Sequence, residues 1–172
     1  MNEEIIIIYD GSDTKVRVGL LEFLENSESC KLARIDGSTL GFIYLAAICF
    51  EGDRVVGLCG LLKNKYVNSD LVLSVREGSQ ERGIATKLQT TLLNEAFYRR
   101  IPIALTTDDT DVYRHVTHFY KKFGFHLFGQ YKERLLYVHE KNSYGFNVRR
   151  KLIFYYLAFA KDCRSHLRNL RK

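Results

Sequence analysis

The chain has 172 residues, 46% hydrophobic and 27% charged, which suits one domain with a full core and excludes a disordered or low-complexity protein. Its formal charge of +6 is uneven, because residues 146–172 hold eight basic residues and one acid, Asp162. The basic character belongs to the C-terminal tail, which suits nucleic acid or an acidic surface, and not to the domain.

The apolar runs at residues 5–8 and 152–160 are too short to cross a bilayer. The start, Met1-Asn2-Glu3-Glu4, lacks the basic residues of a signal peptide. Cys30, Cys49, Cys59 and Cys163 show no C-x-x-C spacing and no cysteine–histidine cluster. They read as free thiols of a reducing cytoplasm, with no metal site expected.

A β-branched run at residues 5–9, bounded by Asp10-Gly11, reads as a strand. Val16, Leu20, Phe23 and Leu24 then recur at helical spacing over residues 15–26. Asp36-Gly37-Ser38 reads as a loop. Apolar runs at 42–50 and 54–62 flank Glu51-Gly52-Asp53, the pattern of a β-hairpin. Residues 71–75 form a short strand and 76–82 a polar loop. Ile84, Leu88, Leu92 and Ala96 mark one face of a helix ending near Arg99-Arg100, where basic residues suit the dipole. A strand at 103–106 leads to Asp108-Asp109-Thr110-Asp111, which offers a helix cap. The helix that follows carries Val112, Val116, Phe119, Tyr120 and Phe123 and closes at Gly124. Strands at 125–130 and 134–139 precede an amphipathic helix over 148–170, with Leu152, Tyr156, Phe159, Cys163, Leu167 and Leu170 aligned. Mixed strands and helices in this order predict an α/β (α+β) protein.

The segment Gln80-Glu81-Arg82-Gly83-Ile84-Ala85 carries the chemistry. A strand enters it and a helix leaves it. The first amides of that helix have no internal partners and meet the positive end of the dipole. Gly83 allows close approach and Ala85 keeps the entry small, so the segment suits a pyrophosphate.

Here the sequence resembles the GNAT superfamily of acyl-CoA N-acyltransferases. The family's signature, Gln/Arg-x-x-Gly-x-Gly/Ala, is met by Gln80, Gly83 and Ala85, and Arg82 stands where a basic residue is frequent. Downstream, Phe119-Tyr120-Lys121-Lys122-Phe123-Gly124-Phe125 is similar to the family's helix that ends in an aromatic–Tyr pair before Gly-Phe. The resemblance spans residues 5–139. It implies a GNAT-like mixed central sheet flanked by helices, with an acyltransferase domain at 1–145. The basic amphipathic helix at 146–172 is then an addition, packed on the domain or on a partner subunit.

The resemblance also implies direct transfer of an acetyl group from acetyl-CoA to a primary amine. Cofactor contacts would fall to Leu73, Val75, Gln80, Glu81, Arg82, Gly83, Ile84, Ala85 and Thr86. The backbone N–H of Val75 would meet the developing oxyanion. Tyr120 would serve as general acid, since a phenol stays protonated at neutral pH; spacing alone favours a packed aromatic on the apolar face of the helix. Where the family often has an asparagine seven residues before that tyrosine, this chain has Tyr113, with Asp111 two residues earlier.

No general base stands out. Glu77 and Asp70 flank the strand end, either as bases acting through water or as loop carboxylates. His115 and His118 share a helix face and read as surface residues. No G-x-S-x-G elbow supports an acyl-serine route. The acceptor is open: a small amine, a protein amine or an aminoacyl-tRNA as in the GNAT toxins. Phe23, Tyr44 and Tyr137 are candidates for its pocket. A non-catalytic acyl-CoA- or nucleic-acid-binding module is the remaining alternative. The tail helix offers two partners, nucleic acid and a second copy of the chain.

Overall fold

The computed structural model describes residues 3–9, 14–32, 35–63, 70–108 and 111–169. The chain divides into two compact units, Met1–Ile101 and Pro102–Lys172.

The first unit runs β1 (Glu3–Ile8), α1 (Thr14–Asn26), α2 (Glu28–Leu32), a short 3-10 helix (Gly37–Phe42), β2 (Ile43–Glu51), β3 (Arg54–Leu62), β4 (Asp70–Val75), a 3-10 turn (Glu77–Ser79) and α3 (Ile84–Tyr98). Its strands lie antiparallel in the order β1-β2-β3-β4. The β2–β3 hairpin closes at Glu51↔Arg54 over Gly52-Asp53. Gly52 has φ +58, the left-handed backbone that a two-residue hairpin turn requires. A bulge where Cys49↔Gly57 gives way to Phe50↔Val55 switches the faces of β3. Val55 and Leu58 then pack with Leu20, Phe23 and Leu24 of α1. Gly57 faces Ile84 and Leu88 of α3 on the other side. Each helix buries the stripe its spacing predicts: Val16, Leu20, Phe23 and Leu24 in α1, and Ile84, Leu88, Leu92 and Ala96 in α3.

The second unit runs β5 (Ala104–Asp108), α4 (Asp111–Lys122), β6 (Phe125–Tyr131), β7 (Arg134–His139) and α5 (Tyr144–Asn169). Its strands are antiparallel in the order β5-β7-β6. Phe154 of α5 packs with Ala104, Leu136 and Val138. Asn142 completes the sheet edge by donating to the Ile103 carbonyl and accepting from the Ile103 N–H.

Two expectations change and one element is new. Asp36-Gly37-Ser38 is not a plain loop: the Asp36 carboxylate accepts from the Ser38 N–H and caps the 3-10 helix, with Thr39 completing the box. The sequence reading also passed over α2. In α5 the aligned residues Leu152, Tyr156, Phe159 and Cys163 face solvent, whereas Phe154 and Ala158 face inward. The Asp10-Gly11 turn, Asp109, Thr110, Leu170, Arg171 and Lys172 lie outside the described residues, as do the side chains of Asp70, 111–116 and 165–169. Among the described residues no helix is long and apolar enough to cross a membrane. None of their His, Cys, Asp and Glu side chains forms a group of three or more able to hold a metal.

Candidate functional site

Residues 76–83 join β4 to α3. β4 pairs with β3 at Gly57↔Val75 and Leu58↔Ser74, and the Arg76 N–H donates to the Val56 carbonyl at 2.8 Å. Peptide groups alternate sides along an antiparallel ladder. Leu73 and Val75 therefore turn their N–H and C=O groups away from β3.

Four side chains fasten the segment to four different places. Arg76 donates to the Val55 carbonyl at 3.2 Å and to Glu22 of α1 at 3.1 Å, with its guanidinium 5.5 Å over the Phe23 ring. Glu77 accepts from the Ser29 N–H at 2.6 Å and from the Ser27 hydroxyl at 3.2 Å, at the start of α2. Gln80 donates back to the Val75 carbonyl at 3.1 Å. Arg82 bridges Glu3 of β1 at 2.9 Å and Glu51 of β2, and Lys87 of α3 joins it on Glu3 at 2.6 Å.

The backbone between these anchors leaves regular geometry at two residues. Glu81 has φ +63 and Gly83 φ +78, so the segment turns twice through the left-handed region. An added Cβ at Gly83 would meet nothing within 4 Å. The conformation, not crowding, demands glycine there, and the space stays open. No side chain caps α3. Lys87 makes the first intrahelical bond, to the Gly83 carbonyl at 3.0 Å. The N–H groups of Ile84, Ala85 and Thr86 precede that bond and have no partner within the helix. Together with the dipole they form an anion cradle. The position of α3 is set at Gly57, where a Cβ would lie 2.8 Å from Leu88 Cδ1 and 3.2 Å from Ile84 Cγ2. Glycine there leaves room for the Leu88 and Ile84 side chains against the strand, and any larger residue would push them aside.

A hydroxyl network continues from Glu77. Ser27 and Ser29 Oγ are 2.8 Å apart, Ser29 and Ser74 Oγ 2.6 Å, and Cys30 Sγ lies 3.2 Å from Ser74 Oγ. Ser74 sits between Leu73 and Val75, so the network ties α2 to the strand of the site. Burial raises the pKa of the Glu77 carboxyl, but hydrogen bonds from backbone N–H groups and from Ser27 and Ser29 outweigh it, and the net shift is downward. A carboxylate held in this way is a cap and a weak proton acceptor. For Glu3, the hydrogen bond from Lys87, backed by the charges of Lys87 and Arg82, prevails over burial and holds it below the usual range. Burial pushes the thiols of Cys30, Cys49 and Cys59 up, which leaves them protonated and unsuited to nucleophilic work.

In the second unit Tyr120 is 6% exposed. Its ring meets Phe119 and Phe125 edge-on at 5.7 and 5.8 Å. Gly124, with φ +79, ends α4, and its carbonyl accepts from the Glu140 N–H at 3.0 Å. His139 is buried beside this turn, edge-on to Phe125 at 5.1 Å, and its Nδ1 accepts from the Lys141 N–H at 3.1 Å. Burial lowers its pKa, opposed by a hydrogen bond with the Phe123 backbone.

β4 thus leads into a helix start that no side chain caps, entered through a left-handed glycine. Residues 26–127 match the family model described as an acetyltransferase (GNAT) domain. The chain belongs to the GNAT acetyltransferase family. It is an acetyltransferase, and acetyl-CoA is its cosubstrate. No curated protein is similar enough in sequence to match. Solved structures share the fold. A GNAT-family acetyltransferase from Staphylococcus aureus Mu50 is 21% identical with TM-score 0.56, covering 80% of this chain and 100% of its own. An acyl-CoA N-acyltransferase from Pseudomonas aeruginosa is 14% identical with TM-score 0.59, covering 80% and 99%. PH1933 from Pyrococcus horikoshii OT3 is 18% identical with TM-score 0.56, covering 81% and 100%.

Within this GNAT frame the sequence candidates separate. Gln80, Glu81, Arg82, Gly83, Ile84, Ala85 and Thr86 are contiguous at the α3 entry, with Leu73 and Val75 on the adjoining strand. Ile84 is 1% exposed, so its side chain belongs to the core and only its backbone is left to serve as a contact. Phe23 is fully buried beneath Arg76 and Tyr137 is 4% exposed in β7; both build core. Tyr44 is half-buried and His118 exposed. Sequence reasoning missed Ser27, Ser29, Ser74, Glu22, Glu3 and Glu51, whose partners lie tens of residues away. Gly57 alone carried a local signal, a glycine inside an apolar strand.

Proposed function

We propose that this GNAT protein transfers an acetyl group directly to a primary amine borne by a small molecule or a protein. The observation that carries the reading is the α3 entry, where unpartnered amides of residues 84–86 meet a left-handed glycine with open space above it. Acetyl-CoA supplies a thioester whose carbonyl carbon accepts the amine. The N–H groups of Gly83, Ile84, Ala85 and Thr86 hold the pyrophosphate. The backbone of Glu81 and Arg82 completes the cradle, since the Arg82 guanidinium is already engaged by Glu3 and Glu51. Main-chain groups of Leu73 and Val75 align the pantetheine arm, supported by their orientation away from β3. The Val75 N–H stabilises charge on the carbonyl oxygen, and Tyr120 gives its phenolic proton to the departing thiolate. Glu77 is not the base, because its carboxylate is committed to α2. The amine reacts as its neutral fraction, and the proton its nitrogen sheds after attack passes to solvent, which returns one to the Tyr120 phenolate.

The reaction runs in the cytoplasm on this reading, supported by free thiols at all four cysteines. Both partners expected of the tail fall on α5. Exposed Arg149, Lys161 and Arg164 would serve an RNA-linked amine, as in the aminoacyl-tRNA reading. The apolar outer face of the same helix favours a second copy of the chain instead, and we take the homodimer.

Titration calorimetry with acetyl-CoA tests the site. Wild type should bind, Gly83→Trp should not, and Gly83→Asn, which tolerates the left-handed backbone, should bind more weakly. Unimpaired binding by Gly83→Trp would remove the α3 entry from the site. A folded wild type that binds no acetyl-CoA would overturn the reading.

A further inference from the structure

We infer that α5 pairs two copies of this chain antiparallel, about a two-fold axis passing between Tyr155 and Tyr156. The inference deepens the homodimer reading above and stands apart from the transfer chemistry. α5 turns Phe154 and Ala158 inward, with Asn147 and Arg150 also buried. On the outer side Val148 is 37% exposed, Leu152 68%, Tyr155 36%, Tyr156 70% and Phe159 59%, and Cys163 is exposed as well. At 100° per residue these six side chains fall on one stripe. With aromatic side chains offering about 150–250 Å² each, the stripe leaves on the order of 500 Å² of apolar surface in water. That exceeds scattered surface apolarity and is more than half of the roughly 800 Å² each partner contributes to a standard interface.

The spacing names the occupant. From Val148 to Cys163 the steps are four, three, one, three and four residues, the same read from either end. A half-turn about the midpoint therefore sets Leu152 against Phe159 of the partner subunit and Val148 against Cys163 of the partner subunit, with the tyrosines at the centre. Such a surface complements itself, as an isologous interface must. By helical spacing the exposed cation Arg149 borders the stripe, and the exposed Arg164 and Lys161 lie farther round the helix, away from it. An interface with an acidic partner or nucleic acid would centre on them instead.

Sedimentation equilibrium measures the association. Wild type should be dimeric, and Tyr156→Glu, at a 70% exposed position, should weaken the dimer roughly tenfold or more while its circular dichroism stays that of the folded chain. Val148→Cys, oxidised with glutathione disulfide, should crosslink through native Cys163 into a covalent dimer. Adding Cys163→Ser should abolish the crosslink. A monomeric wild type, with or without bound nucleic acid, overturns the proposal, as does a dimer indifferent to Tyr156→Glu. Crosslinking of Cys163 to itself in the native chain, or none in Val148→Cys, overturns the antiparallel arrangement. Acetyl-CoA binding is followed in parallel: its failure in wild type sinks the acetyltransferase reading and leaves the dimer standing.

Discussion

The Glu77 carboxylate stands 2.6 Å from the backbone nitrogen of Ser29, so a residue of the loop between β4 and α3 caps a helix 48 positions away in sequence. α2 has only five residues, too few to be stable by propensity. It persists because this carboxylate meets its positive end.

Replacing Glu77 by alanine should therefore release α2 from β4. The carboxylate is exposed, so the stability cost should be modest, about 1 kcal/mol as for other lost caps. Acetyl-CoA affinity should fall with it, because the same loop enters α3. Glu77→Gln, which keeps an acceptor, should lose less. Thermal melts and calorimetry on both variants decide this, and wild-type affinity in Glu77→Ala would show the loop is shaped without α2.

Tyr120→Phe removes one oxygen from a ring packed between Phe119 and Phe125. The fold and acetyl-CoA binding should persist while turnover, followed by thiol release, drops about tenfold or more, in the range of lost acid catalysis. Unchanged turnover would return Tyr120 to a packing role.

The buried His139 sets a pH dependence of stability. Its folded pKa is depressed, chiefly by burial, so between that value and the unfolded pKa of about 6.5 the unfolded chain binds more protons. Stability should be full above about pH 6.5 and fall as the pH drops through this window. Melting temperatures across mildly acidic pH should show the decline, and His139→Gln should flatten it.

Gly57→Ala tests the seat of α3. The new methyl would lie 2.8 Å from Leu88 Cδ1, an overpacking that costs about 1–3 kcal/mol. The melting temperature should fall by several degrees and acetyl-CoA affinity should weaken as the α3 entry shifts. Leu88→Val in the same chain should restore part of both.

What sequence could reveal follows from where each interaction lives. The α1 and α3 stripes, the Gly52 turn and the Gln80–Gly83–Ala85 motif are local, so spacing and residue type disclose them. α2 is not local, because its cap arrives from Glu77. The anchors of the loop pair Glu22 with Arg76 and Glu3 with Arg82, and no spacing rule links such positions. In α5 the apolar stripe was legible but its side was not. Periodicity says which residues align, and only Leu136 and Val138 of β7 decide that Phe154 is the one turned inward.

The four fasteners of residues 76–82 make ligand affinity and conformational stability one coupled quantity. β1, β2, α1, α2 and β4 each hold part of the loop, so partial melting of any of them dissolves the proposed coenzyme site before the chain as a whole unfolds. The coupling also runs backwards: acetyl-CoA at a hundred times its Kd would add about 2.7 kcal/mol to the folded state. The resting protein would then be sturdier in a cell rich in acetyl-CoA than in one depleted of it, and its lifetime against proteolysis would follow the metabolic supply of its own cosubstrate.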